Sequence, residues 1–294
     1  MLDVNRLRVI DAVARNGSVT AAAKELHYSQ PSVTHHLGRL EAETGAQLLQ
    51  RVGRGIRLTP AGQLLADRAA EILGRIDAAG AELSAHVGLS AGRVRLAAFA
   101  SAIGSLVPAA VATLADRHPD LEISLTDTHP PEALELLRTG RVDVAIIFRY
   151  DATEAEEAGI RLHHLLDDSV YVLSTRPTGK LATLRDETWI AGCDRCRGHL
   201  LSICADAGFE PRIGATSDDM VVMSSLVAAG LGVATQTGLA LRAHHVEGVV
   251  ATELPGAKRY IHAATYGEPP DPPATAAVLA ALAEAAASAA GSGG

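Results

Sequence analysis

The chain has 294 residues, 48% of them hydrophobic and 20% charged, which is typical of a globular protein long enough for two domains and a linker. The formal net charge is −8, yet residues 1–62 hold eight Lys and Arg against five Asp and Glu, so this end is +3 and the remainder −11. Such a distribution excludes a general nucleic-acid coat but allows local DNA binding. Because no apolar run follows Met1 and no segment has the apolar length of a membrane span, we expect a cytoplasmic protein.

Two short helices joined by a tight turn are predicted early in the chain. Ser29 is placed to cap the second of them through its hydroxyl, and Pro31 lies in its first turn, where a missing N–H is harmless. Val33, Leu37 and Leu40 form its buried stripe, at steps of four and three. A helix held at a fixed angle by another helix fits the DNA major groove, so we predict a helix-turn-helix.

The exposed face of this helix carries short or forked hydrogen-bonding side chains, which suit base edges and phosphates. A hairpin rich in arginine and glycine follows, positioned like a wing. A solvated polar face on an ordinary three-helix domain is the alternative, but it leaves the basic hairpin unexplained. We predict that the DNA-binding residues are Ser29, Gln30, Pro31, Ser32, Thr34, His35, His36, Arg39, Arg51, Arg54 and Arg57.

The whole stretch resembles the N-terminal domain of the LysR-type transcriptional regulators, whose pattern runs S-x-T-x-A-A, L-x-x-S-Q-P, L-E, a Gly, F-x-R and L-T-x-A-G. Two positions depart from it, since Leu49 replaces the usual Phe and Gly38 replaces a longer polar residue. The resemblance implies an α/β protein with an N-terminal winged helix-turn-helix domain, a long linker helix and a bilobed effector domain resembling type 2 periplasmic binding proteins. The matching residues are Ser18, Thr20, Ala22, Ala23, Leu26, Ser29, Gln30, Pro31, Leu40, Glu41, Gly45, Arg51, Leu58, Thr59, Ala61 and Gly62.

A long helix is predicted after Thr59-Pro60. It repeats apolar residues at alternating steps of four and three, which is the seam of a coiled coil. The seam either rests on its own domain or pairs with a second copy, and we favour pairing because the helix is long and lies between two separate patterns. The seam residues are Leu65, Ala69, Ile72, Ile76, Ala79 and Leu83.

Strands and helices alternate after Gly92, which predicts a parallel sheet covered on both faces. We expect two sub-sheets, with the chain crossing between them near 165–170 and 265–270. The predicted strands are 94–99, 121–125, 142–148, 170–173, 188–191, 213–216, 232–235 and 260–265, and the predicted helices are 106–114, 131–138, 198–207, 220–229 and 275–290.

The domain boundaries follow from these patterns. We expect a DNA-binding domain at 1–59, a dimerisation linker helix at 60–90 and a regulatory domain at 91–294. The regulatory domain divides into lobe I, at 91–165 and 267–294, and lobe II, at 166–266.

Residues that follow strand ends are the candidates for an effector site, because ligands of open α/β sheets bind there. Ser101 is the strongest, as a hydroxyl at a helix start suits an anion, although it could merely cap its helix. Arg149 would add charge, but pairing with Asp151 explains it as well. The effector-binding candidates are Ser101, Ala102, Thr128, Phe148, Arg149, Cys193, Ser217 and Gln236.

The three cysteines lie in one stretch, and Cys193 and Cys196 form a CxxC. In a cytosolic chain this spacing can signal redox chemistry, with Arg195 and Arg197 favouring thiolate. A zinc site with Cys204 and His199 is a weaker alternative, since zinc sites usually pair two such motifs. A third interpretation makes Cys204 a core residue of its helix and places Cys193 and Cys196 in the cleft near the lobe boundary.

The leading hypothesis is a sequence-specific DNA-binding transcription regulator whose C-terminal domain binds a small-molecule effector and thereby shifts oligomer geometry on DNA. Its partners would be operator DNA, the effector and further copies of the chain, with no membrane, metal or cofactor. A thiol sensor built on Cys193, Cys196 and Cys204 is the alternative, and an enzyme with a fused DNA-binding domain is a weaker one. We find no nucleophile–base pair, and G-x-G at Gly53 and Gly55 follows no buried strand, so we predict no enzyme.

Overall fold

The computed structural model describes residues 2–52, 55–86, 92–151 and 159–291. The chain divides into two compact units. The N-terminal unit consists of Met1–Ser90 and Glu135–Val142, and the C-terminal unit of Ala91–Leu134 and Asp143–Gly294.

The N-terminal unit begins with three helices, a two-stranded hairpin and one long helix. Side-chain oxygens of Asp3, Ser18 and Ser29 accept hydrogen bonds from backbone N–H groups in the first turns of the three short helices. Gly17 ends the first helix at φ 62°, a left-handed conformation that glycine adopts without strain. The elements are α1 (Val4–Asn16), α2 (Val19–Glu25), α3 (Gln30–Thr44), β1 (Leu49–Val52), β2 (Gly55–Leu58) and α4 (Pro60–His86).

Two contacts fix the hairpin against the helices. The Glu41 carboxylate, on α3, accepts hydrogen bonds from the backbone N–H groups of Leu48 (2.8 Å) and Leu49 (3.2 Å). Gly62, in the first turn of α4, approaches so closely that a Cβ there would lie 2.0 Å from the Leu48 carbonyl oxygen. These contacts explain why this chain needs an acidic residue and a glycine at those positions.

Helix α4 is 27 residues long, and its two parts have different surroundings. Ala66 and Ala69 are buried in the core that α1, α2 and α3 share. Ile72, Ile76 and Leu83 are 40%, 41% and 65% exposed. The second part of the predicted seam is therefore an apolar stripe that its own unit leaves uncovered.

The C-terminal unit contains one continuous eight-stranded sheet of order β4-β3-β5-β10-β6-β9-β7-β8. We call β3, β4 and β5 with α5, α6 and α11 the first lobe, and β7, β8 and β9 with α8 and α9 the second lobe. Each lobe has its own buried core. The elements are β3 (Arg93–Ala98), α5 (Ala100–Ile103), α6 (Leu106–Arg117), β4 (Glu122–Asp127), α7 (Pro130–Arg138), β5 (Val144–Arg149), β6 (Ile160–Ser174), a 3-10 helix (Leu181–Leu184), β7 (Thr188–Ala191), α8 (Asp194–Asp206), β8 (Arg212–Thr216), α9 (Met220–Ala228), β9 (Val233–Thr237), α10 (Gly238–Ala243), β10 (Val250–Tyr266) and α11 (Pro273–Gly291).

The sheet differs from the prediction in two ways. Long strands β6 and β10 join the lobes and run antiparallel to their neighbours, so the sheet is mixed and is not split into two sub-sheets. From Tyr260 onward β10 already pairs with β5, so the second crossover comes earlier than the expected 265–270. Charged residues within both strands interrupt the apolar pattern, and this made the strands look short.

Two predicted helices also need correction. Helix α8 begins at Asp194, and not at 198, because its first turn carries polar residues that the apolar pattern did not include. Helix α11 is long and apolar enough to cross a membrane by length and composition, contrary to the expectation that no segment qualifies. Its Val278, Leu282 and Ala286 are buried in the core of the first lobe.

Candidate functional site

The outer face of α3 presents the predicted DNA-binding side chains in one row. Gln30, Thr34, His35 and Arg39 are exposed, at spacings that keep them on neighbouring turns. The Thr34 hydroxyl donates to the Gln30 carbonyl oxygen at 3.0 Å, and therefore turns toward the helix backbone. The face thus offers an amide, an imidazole and a guanidinium, whose donors and acceptors match those of base edges and phosphates.

The remaining predicted DNA-binding residues have more varied positions. Ser29 and Pro31 are exposed at the start of α3, where the Ser29 hydroxyl serves as a helix cap. Ser32 and His36 are partly buried, and the His36 ring stacks on Tyr28 with centroids 5.7 Å apart. In the hairpin, Arg57 is exposed on β2, Arg51 lies in β1 opposite Ile56, and Arg54 lies outside the described residues.

A cavity of about 100 Å³ lies where the two lobes of the C-terminal unit meet. Most of its wall is apolar or aromatic, and a few polar groups converge on it, which is the usual character of a small-molecule site. The residues that line it are Phe99, Ala100, Ser101, His129, Phe148, Tyr150, Val170, Gly192, Cys193, Cys196, His199, Asp218, Met220, Met223, Thr235, Gln236, Thr237, Ala240 and Arg259.

Arg259 forms the polar floor of this cavity and belongs to a buried ion pair. Arg259, on β10, donates from Nε and Nη2 to the Asp168 carboxylate of β6 at 2.9 and 2.8 Å. The same Nη2 lies 2.8 Å from the hydroxyl oxygens of both Ser101 and Thr237, and the Leu239 N–H donates to Asp168 at 2.9 Å. The charges therefore neutralise each other within the protein, and the Ser101 hydroxyl is already an acceptor for Arg259.

Aromatic rings enclose the guanidinium from two sides. The Arg259 Cζ lies 4.8 Å from the ring centroid of Phe99 and 4.6 Å from that of Phe148, within the range of cation–π attraction. Next to them the Tyr150 ring stacks on His199 with centroids 4.0 Å apart. Burial raises the pKa of Tyr150 far above its ordinary value and lowers the pKa of His199, so both groups are neutral near pH 7.

The two cavity cysteines touch each other in the first turn of α8. The Cys193 thiol donates to the Cys196 sulfur, with 2.8 Å between the two Sγ atoms. That hydrogen bond, the Arg259 charge and a hydrogen bond from the Tyr150 hydroxyl outweigh burial and lower the pKa of Cys196 to about 6. The same hydrogen bond and burial raise the pKa of Cys193. The cation that acts on Cys196 is therefore Arg259, and not Arg195 or Arg197 as the sequence suggested.

Among the described residues of the cavity wall, two side chains have a buried polar atom without a hydrogen-bond partner: Gln236, on β9, and His199, at its Nε2. Gln236 is 6% exposed, and its amide nitrogen donates to the Met220 carbonyl oxygen at 2.9 Å and to the Ser224 hydroxyl at 3.2 Å. Within the described part of the chain its side-chain oxygen has no hydrogen-bond donor. A buried acceptor beside a cavity is a place where a ligand donor would be bound.

A contact between His129 and Asp218, both of which line the cavity, connects the two lobes. His129, which precedes α7, lies with its Nε2 3.1 Å from a carboxylate oxygen of Asp218, which precedes α9. Both side chains are exposed, so this contact contributes little to stability.

The zinc alternative for the cysteines finds no support in this geometry. Cys204 is fully buried in the core of the second lobe, whereas Cys193 and Cys196 pack against the core of the first. Across residues 2–52, 55–86, 92–151 and 159–291, no group of three or more His, Cys, Asp and Glu side chains is arranged to hold a metal ion.

Known protein families account for both units. Residues 4–63 match the model of the bacterial regulatory helix-turn-helix protein, lysR family, and residues 88–287 match the LysR substrate binding domain. The chain belongs to the LysR family of transcriptional regulators. This confirms the resemblance, the α/β fold class and the function as a transcription regulator, and it excludes the reading of the chain as an enzyme.

Relatives within the LysR family match over most of their length. The HTH-type transcriptional regulator TfdS of Cupriavidus pinatubonensis is 30% identical over 247 residues, which cover 79% of this chain and 81% of the relative. TcbR of Pseudomonas sp. strain P51 is 29% identical over 240 residues, which cover 78% of this chain and 80% of the relative. The crystal structure of full-length CbnR complexed with its target DNA has the same fold, with a TM-score of 0.67, 24% identity and coverage of 97% and 100%.

The predicted effector-binding residues fall into two groups in this LysR-family protein. Ser101, Phe148, Cys193 and Gln236 line the cavity. The other four do not line it. Ala102 is buried in the core of the first lobe, Arg149 is 7% exposed, and Thr128 and Ser217 are partly buried beside strand ends.

Sequence reasoning missed many residues of the cavity wall, and the most important of them are Arg259, with its buried partner Asp168, and Tyr150. Asp168 and Arg259 lie 91 positions apart, so no local pattern could reveal their pairing. Tyr150 follows a strand end directly after two predicted candidates, and the same positional rule could have included it.

Proposed function

We propose that this LysR-family regulator recognises its operator with the exposed face of α3 and contacts the flanking backbone with the β1–β2 hairpin. The observation that carries this proposal is the exposed row of Gln30, Thr34, His35 and Arg39 on a helix whose opposite side is buried. Side chains at a helix start reach base edges when the helix enters the major groove. Contact with operator DNA implies that the protein acts in the cytoplasm.

The proposed domains keep the outer boundaries expected from sequence: 1–59 for DNA binding, 60–90 for dimerisation and 91–294 for regulation, with lobe I starting at 91 and lobe II at 166. The return to lobe I comes earlier than the expected 267, because β10 pairs with β5 from Tyr260 onward. The exposed apolar stripe of Ile72, Ile76 and Leu83 supports pairing through α4, because water contact of such a stripe is unfavourable. A dimer would present two copies of α3 to two half-sites about one helical turn apart.

The cavity between the lobes is the proposed effector site. Its apolar wall favours a small ligand with an apolar body, and the side-chain oxygen of Gln236 favours one hydrogen-bond donor on that ligand. The internal pairing of Arg259 with Asp168 argues against a strongly charged ligand, since neither partner is left uncompensated.

Selection of binding sites from random duplexes tests the DNA reading. Gln30→Ala should lower the preference for the selected sequence by about 1–3 kcal/mol, with a much smaller loss on scrambled DNA. Gln63→Ala, an exposed position on α4, is the matched control and should change neither. Equal losses on all sequences in the Gln30 variant would contradict base recognition.

A ligand screen by thermal unfolding tests the effector site. A ligand present at a hundred times its Kd should stabilise the protein by about 2.7 kcal/mol, which is roughly 5–11 °C for a unit of this size. Gln236→Leu should reduce the shift for donor-bearing hits, while hits without a donor should be unaffected. If Gln236→Leu left every shift unchanged, the proposed role of its oxygen would be wrong.

A further inference from the structure

The dithiol in the cavity wall has features that effector binding alone does not require. Cys193 is the N-cap residue of α8 and Cys196 lies one turn later, so both sulfurs lie at the positive end of a helix of 13 residues. Both thiols line the cavity, so a small molecule that enters it meets them directly.

We propose that Cys193 and Cys196 form a redox-active dithiol, which a small hydroperoxide entering the cavity oxidises to an intramolecular disulfide. The sulfurs are already in contact at 2.8 Å, and the first helical turn brings two residues at this spacing within reach of a bond. The oxidation itself does not depend on the proposed function of the cavity as an effector site. Any effect of the disulfide on operator binding does rest on that proposed function.

Cys196 is the attacking sulfur. It accepts hydrogen bonds from the Cys193 thiol and from the Tyr150 hydroxyl, and the Arg259 guanidinium adds a positive charge nearby. Each of these favours the thiolate, which is the nucleophilic form. Cys193 remains a protonated thiol and is placed to resolve the product of the first step.

The reaction balances with the hydroperoxide as the oxidant. The Cys196 thiolate attacks the terminal oxygen of ROOH, the O–O bond breaks, a sulfenic acid forms, and RO⁻ takes a proton and leaves as ROH. The Cys193 sulfur then attacks the Cys196 sulfur, the S–O bond breaks, and hydroxide leaves as water with the Cys193 proton. Two thiols and one hydroperoxide thus give one disulfide, one alcohol and one water.

Cys204 cannot take either role. Its side chain is fully buried in the core of the second lobe, and burial raises the pKa of its thiol to about 11. It therefore serves as an internal control for thiol accessibility.

Oxidation would change a contact between the lobes. Tyr150 directly follows β5 of the first lobe, and it both stacks on His199 and donates to Cys196 on α8 of the second lobe. In the disulfide, the Cys196 sulfur is no longer a charged hydrogen-bond acceptor for the buried Tyr150 hydroxyl. The lobe arrangement that best provides this hydroxyl with an acceptor therefore differs between the two redox states. The dithiol could in this way act on the same lobe geometry as an effector.

The test uses the full chain, reduced and then treated with tert-butyl hydroperoxide. Thiol titration under denaturing conditions should fall from three thiols to one, the intact mass should drop by two hydrogens, and a dithiol reductant should reverse both. Peptide mapping should place the bond between Cys193 and Cys196. Three remaining thiols, stable oxygen addition or an intermolecular bond would each overturn the proposal.

Single variants test the assigned roles. Cys193→Ser should stop at a sulfenic acid on Cys196 that dimedone traps, and Cys196→Ser should slow oxidation of the remaining cavity thiol at least tenfold. Cys204→Ala should behave as the wild type. Equal oxidation rates in the two serine variants would contradict the assignment of Cys196 as nucleophile, and differential alkylation of the wild type supplies the same comparison if a variant fails to fold.

Operator binding of the reduced protein separates the two proposals. Loss of the two thiols in a protein that prefers no duplex would support the dithiol and refute the DNA reading. Selective DNA binding by a protein whose three thiols do not react would support the DNA-binding proposal and refute the dithiol.

Discussion

Replacing Asp168 with Asn should destabilise the C-terminal unit strongly. Both partners of the Asp168–Arg259 pair are nearly inaccessible, with side chains 3% and 4% exposed. Asp168→Asn keeps the shape of the side chain but removes its charge, so the Arg259 guanidinium stays buried without a counter-charge. It also weakens the acceptor for the Leu239 N–H.

The expected loss is about 3–5 kcal/mol, the range for removing one partner of a buried ion pair. At roughly 2–4 °C per kcal/mol for a domain of 150–250 residues, the unfolding midpoint should fall by about 6–20 °C. A second substitution, Arg259→Met, removes the orphaned charge and should recover part of the loss, with a coupling of about 0.5–3 kcal/mol.

Thermal unfolding of the full chain, followed by circular dichroism, measures this loss. Asp167→Asn is the matched control, because Asp167 points to the other face of β6 and pairs with Lys258 at the surface, so its loss should change the midpoint little. If Asp168→Asn unfolded at the wild-type midpoint, or if the double variant were no more stable than the single, the buried pair would not be the constraint that we describe.

Three further changes have defined outcomes. Gly62→Ala should lower the free energy of unfolding by about 3 kcal/mol or more in thermal unfolding, because the new Cβ would overlap the Leu48 carbonyl oxygen. Gly38→Ala, with open space around it, should instead raise the free energy of unfolding by about 0.5–1 kcal/mol. The opposite order of the two variants would refute the close approach at Gly62. Arg57→Ala should weaken binding to all duplexes and reduce the slope of log K against log salt by about 0.9, and an unchanged slope would rule out a phosphate contact. Oxidation of Cys196 by hydroperoxide should accelerate as the pH rises through about 6, the pKa of its thiol, and level off once the thiol is fully converted to the thiolate. A midpoint near the pKa of an ordinary thiol would contradict the hydrogen bonds assigned to Cys196.

The helix-turn-helix was accessible from sequence because its determinants are local. Caps such as Ser29 and the buried stripe of Val33, Leu37 and Leu40 lie within a few turns of each other. The strand β7 was likewise predicted with its observed bounds, since an apolar run between turns needs no distant partner.

The cavity was only partly accessible for the opposite reason. Ser101 and Gln236 were found by their position after strand ends, but the use of the Ser101 hydroxyl by Arg259 depends on a residue 158 positions away. Strand β10 was predicted from its apolar part alone, because Lys258 and Arg259 interrupt the pattern that marks a buried strand. Because these charged residues form ion pairs with distant parts of the chain, local patterns predicted neither the full length of β10 nor the polar floor of the cavity.

Strands β6 and β10 pass through both lobes and stay hydrogen-bonded to each other over most of their length, apart from irregularities between Glu253 and Lys258 and between Ile261 and His262. A change in the angle between the lobes cannot occur as a free swing on a loop, because it has to bend or twist this paired ribbon. We therefore expect any change of lobe angle to be small and to be opposed by the stiffness of this ribbon. Amide hydrogen exchange should report it most clearly at the irregular segments, where the ladder gives way first.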